Sequence, residues 1–169
     1  MQIYLDHSAT TPPRPEVMTL MQTVMADHWG NPSSLHQWGN RSATVLERAR
    51  AQIGRLVNAP AETMVFTSGG TEADNLAIFG ITQQSTQPQH VIISSVEHSA
   101  VAEPARQLEM QGWQVTRLPV DATGRLDPMD LEAAIQSNTV LISMIWGQSE
   151  IGTVQPIAQL GAIDRNSVV

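Results

Sequence analysis

The sequence contains no lysine and no cysteine; its nine basic residues are all arginine. Without a side-chain amine, no residue can form a Schiff base with an aldehyde cofactor. Without a thiol, none can act as a thiolate nucleophile, form a disulfide or hold zinc through sulfur. The redox compartment is therefore not legible from cysteine usage. Positive charge is also scarce: sixteen acids against nine arginines give a net charge of -7. That argues against a nucleic acid or an anionic membrane as partner, since both need clustered cations. A phosphate site is not excluded, because backbone N–H groups can build one. No apolar run reaches the roughly 18 residues of a membrane span. The opening, MQIYLDHSATTPP, has Asp6 and His7 where a signal peptide has basic and then apolar residues, so the expected location is cytoplasmic. The histidines and acids show no metal-ligand spacing such as His-Glu-x-x-His, and no metal is expected.

What is present is 169 residues, 41% of them hydrophobic, the length of one ordinary domain with a sizeable core. Ile3 to Pro15 reads as extended, since Thr10-Thr11-Pro12-Pro13 cannot continue a helix. Glu16 to Asp27 has helical spacing at Val17, Leu20, Met21, Val24 and Met25. Ser42 to Asn58 is helical again, with Val45, Ala49, Ile53, Leu56 and Val57 on one side. The pattern then changes. Short apolar runs at Met64–Thr67, Val91–Ser94, Trp113–Leu118 and Thr139–Ile145 read as strands. Helical stretches alternate with them at Glu72–Ile81, Ala100–Gln111, from Asp127 onward (Asp127 as cap, Pro128 at the first position), and from Pro156 to Asp164. Continuous apolar strands alternating with helices imply an α/β fold: an open, mostly parallel, doubly wound sheet with helices on both faces. The expected organisation is an N-terminal segment (1–15), a helical region (16–60) and the first part of an α/β domain (61–169). Val168-Val169 read as the first residues of a further strand, so the chain looks cut in mid-unit.

Ligands of such sheets bind beyond the carboxyl ends of the strands. Three polar clusters fall there: Ser68-Gly69-Gly70-Thr71, Ser95-Val96-Glu97-His98, and Trp146-Gly147-Gln148-Ser149-Glu150. The first suits a phosphate, because two glycines allow close approach and a helix N-terminus aims free N–H groups outward. It equally suits a plain strand–helix turn capped by Ser68 or Thr71. His98 is an acid–base group, a platform for a flat ring, or a surface loop histidine. Gln148, Ser149 and Glu150 offer amide, hydroxyl and carboxylate, or simply a polar turn before Gly152 with Glu150 in an ion pair. His36 either reaches a ligand or bonds the backbone. His28 reads as meeting the terminal carbonyls of its helix, and His90 as exposed. Met18, Met21 and Met25 form a stripe expected in the core. Asp121 to Asp130 reads as a solvated, turn-rich stretch.

These motifs together resemble one family. Tyr4-Leu5-Asp6-His7-Ser8-Ala9-Thr10-Thr11-Pro12 is similar to its opening YLDxxATTP, and Gly30-Asn31-Pro32-Ser33-Ser34-Leu35-His36 to its GNPSSxH. Phe66-Thr67-Ser68-Gly69-Gly70-Thr71-Glu72-Ala73-Asp74-Asn75 is similar to FTSGxTExxN. Glu97-His98 matches its EH, and Glu150-Ile151-Gly152-Thr153-Val154-Gln155-Pro156-Ile157 its NNEIGxxQPI. The family is the cysteine desulfurases, in the class V aminotransferase branch of fold type I pyridoxal-phosphate enzymes. The resemblance runs in order from Ile3 to about Ala162.

The resemblance implies pyridoxal 5'-phosphate as cofactor. Gly70 and Thr71 would hold its phosphate. His98 would stack on the ring and help in proton transfer. Gln148 would contact the ring hydroxyl and the substrate, and Ala9 and Thr10 would lie near the substrate amino acid. The reaction would convert L-cysteine to L-alanine and an enzyme persulfide for iron–sulfur cluster or thio-cofactor synthesis. Implied partners are a second copy in a homodimer and a sulfur-acceptor protein. Two departures stand out. Trp146, Gln148 and Ser149 replace a His and two Asn of the family pattern, and the Schiff-base lysine and sulfur-accepting cysteine have no counterpart. The chain alone is therefore expected to be inactive: an N-terminal portion whose Lys and Cys come from a C-terminal half or a second chain. The alternatives are a related cysteine or cystine lyase, and a non-catalytic piece that binds a partner chain or the cofactor. Exposed apolar edges should make the isolated chain associate.

Overall fold

The computed structural model describes residues 2–163. The chain forms two compact units, Met1–Phe66 and Thr67–Val169, where its length alone suggested one domain. The reason lies in the core. Both buried apolar clusters are built only from residues of the second unit.

In the first unit the opening segment is extended, as expected. The Tyr4 hydroxyl donates to the Asp6 and Thr10 carbonyls at 2.9 and 3.0 Å. Helix α1 (Pro15–Asp27) starts on a proline, whose missing N–H costs nothing at that position. Helix α2 (Gln37–Leu56) begins upstream of Ser42, because the His36 ring Nδ1 accepts from Gly39 N–H at 3.2 Å and caps it. Residues 37–41 carry little apolar periodicity, which hid this first turn. At Gly39 a Cβ would stand 2.1 Å from the Ser34 carbonyl oxygen, so the Asn31–Ser34 loop closes on α2 only with glycine there.

Three expectations for this unit are corrected. The Met18, Met21 and Met25 stripe is not core: α1 has no buried residue, and these side chains are about half exposed or more. The bond from Ser42 Oγ to the His28 carbonyl lies at the helix's C-terminal end and leaves the stripe uncovered. His28 meets the Val24 carbonyl through its backbone N–H, while its ring Nδ1 is buried with no partner among the described residues. Met64–Thr67 is extended but forms no strand, since it finds no ladder partner among the described residues. The Arg50 guanidinium donates to the Met64 carbonyl and lies over the Phe66 ring.

The second unit contains α3 (Gly70–Thr82), β1 (His90–Ser94), α4 (Ser99–Met110), β2 (Gln114–Leu118), α5 (Pro128–Ala134), β3 (Thr139–Ser143) and α6 (Ile157–Ile163). The strands form a parallel sheet in the order β2-β1-β3. Along the wholly buried β1, alternate residues face opposite ways. Val91 and Ile93 pack with Ile78 of α3 and with Val101, Ala105 and Leu108 of α4. Ile92 packs with Leu118, Leu126, Ile142, Leu131 of α5 and Leu160 of α6. The sheet thus carries helices on both faces, the doubly wound α/β arrangement expected from the alternation of elements. Each fully buried Ile or Leu contributes about 2 to 3 kcal/mol of apolar burial.

Two further expectations change here. His90 is not exposed: it is the first residue of β1 and fully buried. Its Nδ1 and Nε2 lie 2.8 Å from the Thr139 and Thr116 hydroxyls, so one ring bridges all three strands. The 121–130 stretch is not simply solvated. Leu126 is buried, its N–H donates to Gln155 Oε1 at 2.9 Å, and Gln155 Nε2 donates to the Gly124 carbonyl at 2.7 Å. Strand β3 also stops short of Ile145. Asp164 and Val168-Val169, expected as helix end and next strand, lie outside the described residues.

Candidate active site

The carboxyl ends of the strands face the N-termini of the following helices, and the polar clusters gather there. Helix α3 has Gly69 at its N-cap position, and no side chain caps its N-terminal N–H groups. Neither Ser68 nor Thr71 caps it. Ser68 instead donates its N–H and its hydroxyl to the Glu72 carboxylate at 2.7 and 2.5 Å. These two bonds hold the Glu72 carboxyl below its ordinary pKa. A Cβ built at Gly69 or Gly70 would meet no atom within 4 Å. The space before the helix is open, and the N–H groups of its first turn are presented to it.

His98 caps α4: its Nδ1 accepts from Ala100 N–H at 3.0 Å. In the neutral ring the proton therefore sits on Nε2, the one nitrogen left to exchange it. The turn at Thr71 and the capping histidine are tied through Asn75. Its Nδ2 donates to the Thr71 carbonyl at 2.8 Å and to the Ala100 carbonyl at 3.4 Å.

Glu97 fastens the site to the sheet. A single oxygen, Oε1, accepts from Ser94 Oγ at the end of β1 (2.5 Å) and from Ile145 N–H beyond β3 (2.6 Å). Burial pushes its carboxyl pKa up against the pull of these bonds, and the nearby Asp74 charge adds to the rise. Beyond Ile145 the chain makes a tight loop. Gln148 N–H donates to the Thr153 carbonyl and Gly152 N–H to the Gln148 carbonyl, both at 2.9 Å, with Gly152 at φ +76°. The Gln148 side-chain oxygen accepts from Glu150 and Ile151 N–H at 2.7 and 2.8 Å. That fixes the amide by its oxygen and leaves the NH2 as its donor end. Glu150 forms no ion pair among the described residues.

Gly70, Thr71, His98 and Gln148 thus all sit at one end of the sheet. Ala9 and Thr10 lie exposed in the opening segment of the first unit, where Ala9 N–H donates to the Asp6 carbonyl at 3.2 Å. Sequence reasoning placed Asn75, Glu97 and Gln155 in motifs but missed their fastening bonds. Each lies inside a motif, but its partner is remote in sequence. Among the described residues no group of His, Asp and Glu could hold a metal ion, and no helix is long and apolar enough to cross a membrane.

The model of the family described as Aminotransferase class-V matches residues 3–169. A cysteine desulfurase IscS of Dictyoglomus turgidum is 45% identical over 165 residues, which cover 97% of this chain and 42% of that protein. Among solved structures, a NifS-like protein superposes with a TM-score of 0.92 at 29% identity, over 96% of this chain and 45% of the other. A second, described as SspA in complex with cysteine, gives a TM-score of 0.90 at 35% identity, over 95% and 46%. The chain spans less than half the length of these relatives. With residues 3–169 matched and its fold shared with these solved structures, the chain belongs to the class V aminotransferase family, whose members work with pyridoxal 5'-phosphate.

Proposed function

We propose that this chain supplies the cofactor cup of a cysteine desulfurase, completed by residues that its own sequence lacks. The observation that carries the reading is the N-terminus of α3, left free of side-chain caps and open in front of Gly69 and Gly70. A helix N-terminus of that kind fits the phosphate of pyridoxal phosphate. Gly70 and Thr71 would hold the phosphate, the Thr71 hydroxyl adding one donor. His98 would lie against the ring and move a proton at Nε2, because Nδ1 is occupied by Ala100 N–H. The Gln148 NH2 would donate to the ring hydroxyl oxygen and to the substrate. Ala9 and Thr10 would line the side taken by L-cysteine. When bound, the cofactor supplies an electron sink at the substrate α-carbon. The lysine that anchors it and the cysteine that accepts sulfur have no counterpart in this sequence.

The same reading takes the complete protein as a cytoplasmic homodimer that passes sulfur to an acceptor protein for iron–sulfur cluster or thio-cofactor synthesis. Support comes from the name carried by the 45% identical relative. The loop Trp146-Gly147-Gln148-Ser149 favours one competitor, a cysteine or cystine lyase.

A chimera decides between them. This chain is joined ahead of the remaining portion of the Dictyoglomus turgidum relative and given L-cysteine. Alanine in step with persulfide is the expected result, with neither formed by the 169-residue chain alone. Pyruvate and ammonia in place of alanine would establish the lyase, and a chimera that folds but binds no pyridoxal phosphate would end both readings.

A further inference from the structure

Helix α4 carries a proline in its interior, Pro104. Proline has no N–H, so the carbonyl four residues earlier, that of Ala100, loses its helical donor. Ala100 is buried, and a buried carbonyl without a donor is costly. The side chain that reaches this carbonyl belongs to another helix: Asn75 Nδ2 of α3, at 3.4 Å. The same NH2 group donates its other hydrogen to the Thr71 carbonyl at 2.8 Å. Asn75 therefore stands between two atoms of the candidate site. One is the backbone of Thr71, in the turn that faces the phosphate space. The other is the backbone of Ala100, whose N–H is capped by the His98 ring. Beneath this point α3 and α4 pack through Ile78, Val101, Ala105 and Leu108, which lets the two N-termini approach. Pro104 and Asn75 both line the groove of about 610 Å³ between these helices.

We propose that Pro104 and Asn75 act as one positioning device: the proline vacates the Ala100 carbonyl, Asn75 occupies it, and the phosphate-facing turn at Thr71 is thereby held in register with His98. Neither residue touches the cofactor in this account. Both act through backbone groups, that of Thr71, which would face the phosphate, and that of Ala100, which holds the His98 ring. An ordinary residue at position 104 would restore an N–H that competes for the Ala100 carbonyl, freeing Asn75 to swing away while making α4 itself a better helix. The device is thus distinguishable from plain stabilisation, because its loss should improve one property and damage another. The inference rests on the cofactor reading above, and the experiment separates the two.

The test uses this chain joined, as above, to the remaining portion of the Dictyoglomus turgidum relative, and its variants Pro104→Ala, Asn75→Ala and the double variant. Each is measured twice: by urea unfolding, and by titration with pyridoxal 5'-phosphate and with pyridoxal, followed by tryptophan fluorescence. Pro104→Ala is expected to unfold no more easily than the parent, yet to bind pyridoxal 5'-phosphate about tenfold more weakly, the cost of weakening one hydrogen bond to a charged group. Pyridoxal, which has no phosphate, should lose little. Asn75→Ala should weaken pyridoxal 5'-phosphate binding similarly, and the double variant no more than the single ones. In unfolding, the cycle should show a coupling of about threefold or more in the equilibrium constant, the range for groups sharing one hydrogen bond. Additive effects in unfolding would overturn the device whether or not the cofactor binds. Undiminished pyridoxal 5'-phosphate binding by Pro104→Ala would overturn the positioning role. A parent chain that binds no pyridoxal 5'-phosphate, with the unfolding coupling intact, would overturn the cofactor reading and with it the role assigned to the device. Should Asn75→Ala fail to fold, Pro104→Ala still decides through its opposed stability and binding effects.

Discussion

His90, buried at the start of β1, and Glu97, half-buried just beyond its end, are both titratable, and their pKa values move in opposite directions. Burial holds the His90 imidazole below its ordinary value. The unfolded chain takes up its proton near pH 6.5 while the folded one resists, so His90's contribution is fully present above about 6.5 and is lost as pH falls below it. His90→Leu gives up the bonds to Thr116 and Thr139. It should cost about 2 kcal/mol at pH 8 and clearly less at pH 5, where the parent is already penalised. Urea midpoints at the two pH values check this, and an equal cost at both would contradict it. Glu97 runs the other way: its raised pKa gives a contribution present below about pH 4.5 and lost as pH rises through the folded value. Glu97→Gln keeps the one oxygen that serves both Ser94 and Ile145, so it should be at least as stable as the parent at pH 8. Glu97→Ala leaves the Ile145 N–H and Ser94 hydroxyl without that acceptor and should cost about 2 kcal/mol. Neither bridge could be read from local pattern. His90 looks like a polar residue flanking a strand until Thr116 and Thr139, 26 and 49 residues away, are brought beside it.

At the scale of elements, period carried most of the reading, and its failures share a cause. The apolar runs at Val91 and Thr139 became β1 and β3 because each found a parallel neighbour. Met64–Thr67 is similarly apolar but has no ladder partner among the described residues, so it stays extended. Composition reports what a segment can do, while pairing depends on chain elsewhere. The site shows the same division. The open glycine turn and the strand-end histidine were legible in Ser68–Thr71 and Glu97-His98, yet the choice of Gly69 as cap and Glu72 as the partner of Ser68 needed coordinates. Helix α1 gives the plainest case. Its spacing is helical and the helix is there, but Met18, Met21 and Met25 stay about half exposed or more and join no core. Replacing all three with Gln should therefore shift the unfolding midpoint by no more than an exposed substitution does, about 0.5 kcal/mol each. A loss of several kcal/mol in the urea experiment would show that the stripe is buried after all.

At the scale of the molecule, apolar surface and unpaired strand edges outrun what one copy covers. Strands β2 and β3 each end the described sheet with a free edge, and such edges invite pairing. Leu5, Leu20, Met25, Trp29, Leu35, Leu56 and Trp146 are all more than 60% exposed, whereas a soluble monomer rarely gathers so much large apolar surface. The net charge of -7 opposes association, but charge repulsion is screened beyond about 8 Å at physiological salt, while apolar contact is not. Apolar contact should therefore win. The isolated chain is expected to sediment as a concentration-dependent mixture at micromolar concentration, more strongly as salt rises. The Met18, Met21 and Met25 to Gln variant should shift that mixture toward monomer with only the small midpoint change of exposed substitutions, because it removes surface that one copy leaves open. Sedimentation velocity across a hundredfold concentration range separates the outcomes. A single monomeric boundary throughout, with a cooperative calorimetric melt, would mean that the free edges and the methionine stripe are tolerated by one copy in water.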